Sequence, residues 1–169
     1  MIFWERALSV FRELDNTSGM TDALGGIGWV QYLMGDYDDA LRSFDRAEVL
    51  SAEAGNEQAR ALNLGDKGVV YIAQGRYDKA IAALDESLTL SDAVGAGREG
   101  SYKGGYLATA YLLHNQLAEA DDIARLTLSL GGALVNEPVV QTLHGVILAR
   151  MGQKQAAVIA FERGGCACR

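Results

Sequence analysis

Residues Gly35–Ala40 read GDYDDA and residues Gly75–Ala80 read GRYDKA, so the same turn-like pattern occurs twice in the chain. Weaker copies follow at residues 115–120, which read NQLAEA, and at residues 152–157, which read GQKQAA. Self-similarity at a fixed period of about 40 residues is typical of stacked repeat proteins. The repeat therefore predicts the fold class more strongly than any other property of the chain.

The residue spacing around this pattern predicts helices. An alanine recurs in every unit, and in most units a bulky apolar residue follows it by four positions. The alanines are Ala7, Ala40, Ala80, Ala120 and Ala157, and the bulky residues are Phe11, Phe44, Leu84 and Phe161. Residues four apart lie on one face of a helix, and no segment shows the alternation typical of strands. We therefore predict an all-α fold in which each unit is a helix, a tight turn and a second helix.

These patterns give approximate helix bounds. First helices are predicted at about 21–34, 58–74, 101–114 and 138–151, and second helices at about 37–53, 77–93, 117–130 and 154–163. Gly35 and Gly75 are expected to take the left-handed conformation after a helix, and Asp36 is expected to cap the helix that follows. Asn136, just before Pro138, indicates the start of another helix.

The pattern resembles the tetratricopeptide repeat family, whose unit carries small residues early, a Gly-x-Tyr turn, and then alanine and an aromatic residue. The residues that carry the resemblance in the first two full units are Ile27, Gly28, Tyr32, Gly35, Tyr37, Ala40, Phe44, Ala47, Gly68, Tyr71, Gly75, Tyr77, Ala80 and Leu84. The last two units keep Ala108, Tyr111, Ala120, Gly145, Ala157 and Phe161. The resemblance implies a right-handed α-solenoid of stacked antiparallel helix hairpins.

The chain departs from the family in repeat length. Its period is about 40 residues rather than about 34. Ala52, Asp92 and Gly132 stand where a closing proline is usual. This is similar to the longer-repeat members found in bacterial regulatory proteins and in adaptors such as kinesin light chains. We expect a single domain over residues 1–169. Its expected parts are a half repeat at 2–18, repeats at about 21–56, 58–97, 101–135 and 138–163, and a frayed tail at 164–169.

The first residues of the chain form an apolar segment. It is predicted to be the second helix of a repeat unit whose first helix is absent. In the sequence alignment Trp4, Ala7, Phe11 and Leu14 correspond to Tyr37, Ala40, Phe44 and Ala47. A terminal repeat normally carries a polar outer face, because nothing covers it. The apolar stripe predicted to lack a cover comprises Ile2, Phe3, Trp4, Leu8 and Phe11. Either the chain is a piece of a longer array, or the stripe pairs with a second copy to form a homodimer.

Composition limits the classes of partner. Of the 169 residues, 49% are apolar and the mean hydropathy is +0.03, which suffices for a buried core. The net charge is −7 without a basic stripe, so nucleic acid is disfavoured as a ligand. Neither a signal peptide nor a membrane-spanning apolar run is present in the sequence. We expect a soluble, cytoplasmic protein that makes no membrane contact.

Candidate residues for catalysis or metal binding are few. His114 and His144 have no Cys, Asp or Glu at a metal-ligand spacing and are interpreted as a turn histidine and a half-buried helix histidine. Cys166 and Cys168, separated by one residue, are interpreted as part of an ordinary tail. The glycine pairs lack the Lys-Ser/Thr of a phosphate loop, and the acidic residues in 36–39 lack a calcium-loop pattern. We therefore predict no enzyme activity, no metal and no cofactor.

In the family, the first helices line a concave groove that binds partners. Carried over to this chain, the groove comprises Gly25, Trp29, Tyr32, Gly65, Val69, Ile72, Tyr102, Gly105, Thr109 and Leu112. Trp29, Tyr32 and Tyr102 are the expected anchors for a partner. Chaperone-binding relatives clamp a carboxylate with Lys and Asn, but the corresponding residues here are Gly25, Trp29, Gly65 and Val69. An apolar segment is therefore the expected ligand, unless several of these residues are ordinary core.

Glycine occupies the fifth position of three successive units, at Gly25, Gly65 and Gly105. Each costs about 1 kcal/mol relative to alanine in a helix interior. Either a ligand approaches the backbone closely there, or adjacent first helices pack closely there. The sequence leaves both explanations open.

Two functions agree with these observations. The first is a protein–protein interaction scaffold that binds a peptide or an amphipathic helix of a partner in its concave groove. The second is a regulatory or sensor segment of a larger bacterial ATPase-type or transcriptional regulator.

Overall fold

The computed structural model describes residues 1–95, 97–130 and 137–165, with the backbone alone for residues 97–102. Every regular element in those ranges is an α-helix, as the sequence predicted. The helices form two compact units, Met1–Gly95 and Ala96–Arg169. The single domain expected over the whole chain stays a prediction, as does the right-handed superhelix.

The first unit contains five helices that pack in chain order. They are α1 (Ile2–Glu13), α2 (Thr17–Met34), α3 (Tyr37–Glu53), α4 (Glu57–Ala73) and α5 (Tyr77–Ala93). Each helix packs against the next, and the two first helices α2 and α4 also contact each other. This is the arrangement of stacked helix hairpins.

The second unit contains, within its described residues, two hairpins with the same order of packing. Its helices are α6 (Gly97–Leu113), α7 (Leu117–Leu130), α8 (Glu137–Arg150) and α9 (Lys154–Arg163). Here the first helices α6 and α8 contact each other.

The four second helices begin and end at the predicted residues, whereas the first helices begin earlier than predicted. Helix α2 begins at Thr17 rather than near residue 21, because the side chain of Asn16 accepts a hydrogen bond from the Gly19 amide at 2.9 Å. Asp36 stands at the N-cap of α3 without making the predicted side-chain bond. Asn136 lies outside the described residues, and Pro138 is in the first turn of α8.

Residues with a left-handed backbone conformation follow the ends of the described helices, at regular intervals over most of the chain. Positive φ angles occur every 20 residues at 15, 35, 55, 75, 95 and 115, and also at residues 152 and 165. Gly35 and Gly75 have φ angles of 85° and 71°, as predicted. The chain therefore reverses direction at evenly spaced positions from Asp15 to Asn115.

This spacing corrects the alignment of the N-terminal helix. Asp15 and Asn16 lie one repeat period before Gly55 and Asn56, and each asparagine caps the next helix through its side chain. Helix α1 is therefore the counterpart of the C-terminal part of α3, so Trp4 corresponds to Phe44 rather than to Tyr37. The sequence alignment was wrong because it followed residue types and left out the turn.

In both hairpins formed by α2 to α5, a glycine on the first helix packs against a large side chain on the second. A Cβ atom at Gly28 would lie 2.8 Å from the ring of Phe44, and one at Gly68 would lie 2.5 Å from Leu84 Cγ. Phe44 and Leu84 are fully buried, and such burial contributes about 1.5–3 kcal/mol for each side chain. The glycine of each pair therefore leaves the space that the large side chain of the other helix fills.

Candidate functional site

The first helices α6 and α8 lie side by side and leave a cleft between them. Its volume is about 680 Å³, within the range of about 300–1,000 Å³ typical of ligand sites. The lining residues come from α6, α8 and the end of α9, and are Gly105, Tyr106, Thr109, Pro138, Val139, Val140, Thr142, Leu143, Val146 and Gly164. We refer to this site as the α6/α8 cleft.

The cleft is apolar where it meets solvent. Val139 is 68% exposed and Val146 is 38% exposed, and residues seven apart lie on the same face of α8. The Thr109 hydroxyl donates to the Gly105 carbonyl, and the Thr142 hydroxyl donates to the Pro138 carbonyl, each at 2.8 Å. Because both hydroxyl groups are bonded within their own helices, the cleft offers a ligand mainly hydrocarbon surface.

Hydrogen bonds between the C-terminal ends of α6 and α8 hold the two helices in place. Arg150 donates from Nη1 to the Leu112 carbonyl at 3.1 Å and from Nη2 to Asn115 Oδ1 at 2.8 Å. The Leu112 side chain is buried in a core cluster with Ala108 and Ile147. Leu112, which was predicted to line the groove, is therefore a core residue and is not among the residues that line the cleft.

Gly105 lines the cleft although helix packing does not require a glycine there. A Cβ atom at Gly105 would lie 3.5 Å from Val140 Cγ2, an ordinary van der Waals distance. In the first unit, a Cβ atom at Gly25 would lie 3.7 Å from Asn63 Oδ1. Alanine would fit at both positions, so close packing of adjacent first helices does not account for these two glycines.

The predicted aromatic anchors of the first unit are tied into its packing. Trp29 donates its indole Nε1–H to Asp66 Oδ2 at 2.9 Å, which links α2 to α4. Its ring makes edge contacts with Tyr32 at 5.3 Å and with Phe44 at 6.4 Å between centroids. Trp29 and Tyr32 are partly buried beside the core that contains Ala40 and Phe44. Trp29 and Tyr32 therefore stabilise the packing of the first unit while part of each side chain remains accessible to solvent.

The other groove residues of the first unit differ in accessibility. Gly65 and Val69 are buried, whereas Ile72 is partly exposed. The Tyr102 side chain lies outside the described residues, as do Cys166 and Cys168. The structure thus brings Gly105 and Thr109 together in one cleft, but it does not bring Val69 to the surface.

Of the residues predicted for self-association, three face the first unit itself. The Trp4 ring lies over Gly26, where a Cβ atom would be 2.5 Å from it, and the Phe11 ring lies over Gly19 in the same way. Leu8 lines a cleft of about 500 Å³ between α1, α2 and α3. The two that remain exposed are Ile2 and Phe3.

A largely buried cation joins α3 to α4. Lys67 Nζ lies 2.7 Å from Asp45 Oδ1 and 2.8 Å from Glu48 Oε2. Burial alone lowers the pKa of Lys67, but the hydrogen bonds to both carboxylates and their charges outweigh it and raise the pKa above its ordinary value. The arrangement is a structural ion cluster.

His144 has a partner that the sequence spacing did not indicate. Its Nε2 lies 2.7 Å from Asp121 Oδ1 on α7, and Asp121 Oδ2 accepts from Arg125 at 2.8 Å. Among the described residues, no three His, Cys, Asp or Glu side chains gather as metal ligands. Within the same ranges, no helix has both the length and the apolar character needed to cross a bilayer.

Comparison with known proteins agrees with this architecture. Residues 63–93, which span most of α4 and all of α5, match the family model described as tetratricopeptide repeat. The resemblance to tetratricopeptide repeat proteins is therefore confirmed. No curated protein matches the chain in sequence.

Three solved structures illustrate the shared fold. BtubC from P. vanneervenii is 16% identical with a TM-score of 0.80, over 96% of this chain and 72% of that one. A kinesin light chain with TPR-like repeats from Podospora anserina is 15% identical with a TM-score of 0.77, over 96% and 82% of the two chains. The STAND signal-transduction ATPase with a tetratricopeptide repeat sensor from Pyrococcus horikoshii is 13% identical with a TM-score of 0.80, over 96% of this chain and 26% of that one. At these identities the likeness concerns the fold alone.

Proposed function

We propose that this protein is a non-enzymatic interaction module that binds an apolar segment of a partner protein, presented as an amphipathic helix or an extended peptide. The observation that carries the proposal is the α6/α8 cleft, which is the right size for apolar side chains and is lined mainly by hydrocarbon. Tetratricopeptide repeats mediate protein–protein interactions in general, which agrees with this role. The α6/α8 cleft is the location that we propose for this binding.

The polarity of the cleft supports an apolar ligand over a charged one. Among the side chains that the structure describes, no Lys, Arg, Asp or Glu lines the cleft. A carboxylate or phosphate group placed there would lose its hydration without gaining a charged partner, which is costly. An apolar side chain instead gains about 25 cal/mol for each Å² of its surface that leaves water.

Gly105 gives a second line of support. Its α-carbon lies in the cleft without a Cβ atom, although there is room for one. A glycine that helix packing does not demand is explained if the ligand approaches the helix backbone at that point. The ligand would then lie across α6 between Gly105 and Thr109.

The experiment is a selection from a displayed peptide library, followed by affinity measurement with the enriched peptide. We expect enriched sequences to carry apolar residues three and four apart, which is the pattern of an amphipathic helix. Val139→Asp, at the exposed rim of the cleft, is expected to weaken binding at least about tenfold. Val158→Asp is the matched control, because Val158 is an exposed valine of the same unit that does not line the cleft.

Chemical shift changes on peptide addition show where the ligand lies. Changes centred on Gly105, Thr109 and Val146 support the proposal. Equal affinity of the Val139→Asp and Val158→Asp variants, or shift changes confined to other surfaces, would refute it.

A second candidate function is that of a sensor segment within a larger regulator. It is favoured by the similarity to the STAND ATPase, of which a comparable length of chain covers only 26%. In that case ligand binding at the same cleft would control an effector domain. Fusion of the chain to such a domain, with activity measured with and without the selected peptide, distinguishes a sensor from a passive scaffold.

A further inference from the structure

Helix α1 has two apolar faces, and only one of them packs within the unit. Trp4 and Phe11 lie over glycines of α2, and Leu8 lines the cleft beside α3. The second face is formed by Phe3, Ala7 and Val10 and is continued by Leu14, the residue that follows the helix, at intervals of four, three and four. Phe3 is 72% exposed, Val10 is 51% exposed and Leu14 is 67% exposed. We call these four residues the α1 seam.

The spacing of the α1 seam is that of a helix pairing surface. Intervals of four and three repeat every seven residues, as do the apolar positions that face a partner in a coiled coil. At 100° per residue the four side chains span a narrow stripe rather than a scattered set. Such a stripe has the form that fits another helix.

Two charged residues beside the α1 seam indicate which helix pairs with it. Arg6 and Glu13 are exposed, lie seven residues apart and flank the same edge of the seam. In a parallel pair with a second α1, this edge would face the opposite edge of the other helix, which carries Trp4 and Phe11, so neither charge would meet an opposite charge. In an antiparallel pair related by a two-fold axis, each Arg6 instead stands beside Glu13 of the other copy, so both contacts are attractive.

We propose that α1 pairs antiparallel with α1 of a second copy of this chain. Phe3 then faces Leu14 of the second copy, and Ala7 faces its Val10, with two Arg6–Glu13 contacts along one edge. The pairing is independent of the α6/α8 cleft, so either proposal can fail without the other. It also replaces the stripe predicted from the sequence, because Trp4 and Phe11 already lie over glycines of α2 and Leu8 faces the cleft beside α3.

The strength of this association follows from the size of the helix. Helix α1 has 12 residues and is about 18 Å long, so the pair buries much less than the roughly 1,600 Å² of a standard interface. We expect reversible dimerisation with a dissociation constant in about the micromolar range or above. Sedimentation equilibrium of the full chain at increasing concentration measures it directly.

Charge exchange tests the geometry. Arg6→Glu and Glu13→Arg, each alone, should place like charges together and weaken self-association about tenfold. An equimolar mixture of the two single variants should associate as strongly as the wild type, and so should the double variant. Leu126→Asp, at an exposed leucine of α7, is the control and should leave association unchanged.

Val10→Asp should reduce association at least about tenfold while far-ultraviolet circular dichroism keeps the wild-type helical signal. The proposal is overturned if the wild type stays monomeric up to about 1 mM, which corresponds to a binding free energy weaker than about −4 kcal/mol. It is equally overturned if the mixed charge variants do not associate, because antiparallel pairing requires that they do.

Discussion

The indole of Trp29 donates a hydrogen bond of 2.9 Å to Asp66, and this bond joins two first helices that otherwise share few contacts. The same ring packs edge-on against Tyr32 and Phe44. Trp29 therefore belongs to the packing of the first unit as well as to its partly accessible surface. A substitution there changes both stability and surface.

Trp29→Ala should lower the free energy of unfolding by about 2 kcal/mol, because a partly buried ring and its hydrogen bond are lost together. Trp29→Phe keeps a ring and should cost about 1 kcal/mol less than Trp29→Ala. Urea unfolding followed by circular dichroism measures both values. An unchanged midpoint for Trp29→Ala would contradict the packing described and make Trp29 a surface residue alone.

Two glycines should respond to alanine substitution in the opposite way from two others. Gly25→Ala and Gly105→Ala should stabilise the protein by about 0.5–1 kcal/mol, because a Cβ atom fits and the helix propensity rises. Gly28→Ala and Gly68→Ala should destabilise it by about 1–3 kcal/mol, because the Cβ atom collides with Phe44 or Leu84.

These glycine variants also report on binding. Gly105→Ala should weaken the affinity of a selected peptide although the variant is more stable than the wild type. If all four variants are destabilised alike, close packing of the helices explains Gly25 and Gly105 as well, and Gly105 no longer supports a ligand site.

Lys67→Met should lower the stability at neutral pH by about 1–2 kcal/mol, since Asp45 and Glu48 would be left facing each other without a cation. The pKa of Lys67 is raised in the folded state, so its contribution is complete below the unfolded pKa of about 10.4. The contribution is lost as the pH rises through the higher folded value.

The stability difference between wild type and Lys67→Met should therefore be constant near neutral pH and shrink above about pH 10.4. Lys79→Met, at an exposed lysine, should show neither effect. A difference that grows with alkaline pH would contradict the assignment of the ion cluster.

Asp121→Ala should destabilise the second unit by about 1–3 kcal/mol, because His144 and Arg125 both lose a nearly buried acceptor. Asp122→Ala removes only an exposed contact to Arg125 and should change the stability by less than about 0.5 kcal/mol. Thermal unfolding of the two variants side by side makes the comparison. Equal effects would show that the His144 contact adds nothing.

The sequence predicted the helical hairpins because their signals are local. The turn glycines and the alanine spacing act over short stretches of chain, and the four second helices fall on their predicted bounds. The start of α2 was missed because Asn16 was not considered as a cap, although Asn56 stands one repeat period later in an equivalent turn.

The site was harder to predict because it depends on how neighbouring helices sit together. Val69 and Leu112 occupy groove positions in the family pattern yet are buried here, and only their surroundings decide this. Both faces of α1 are apolar, so composition did not tell which one meets α2. A signal was present, however: Trp4 and Phe11 are seven residues apart, as are the glycines at 19 and 26 that receive them.

Because the left-handed turns are regularly spaced, a segment of two helices can be removed or inserted as a unit. Excision of residues 36–75 would join Gly35 to Arg76, and a left-handed glycine would still precede the next helix. Gly28 would then meet Leu84 in place of Phe44, a contact of the kind that Gly68 makes already. Such an architecture can gain or lose whole hairpins by recombination while the remaining ones keep the neighbours they were shaped to fit.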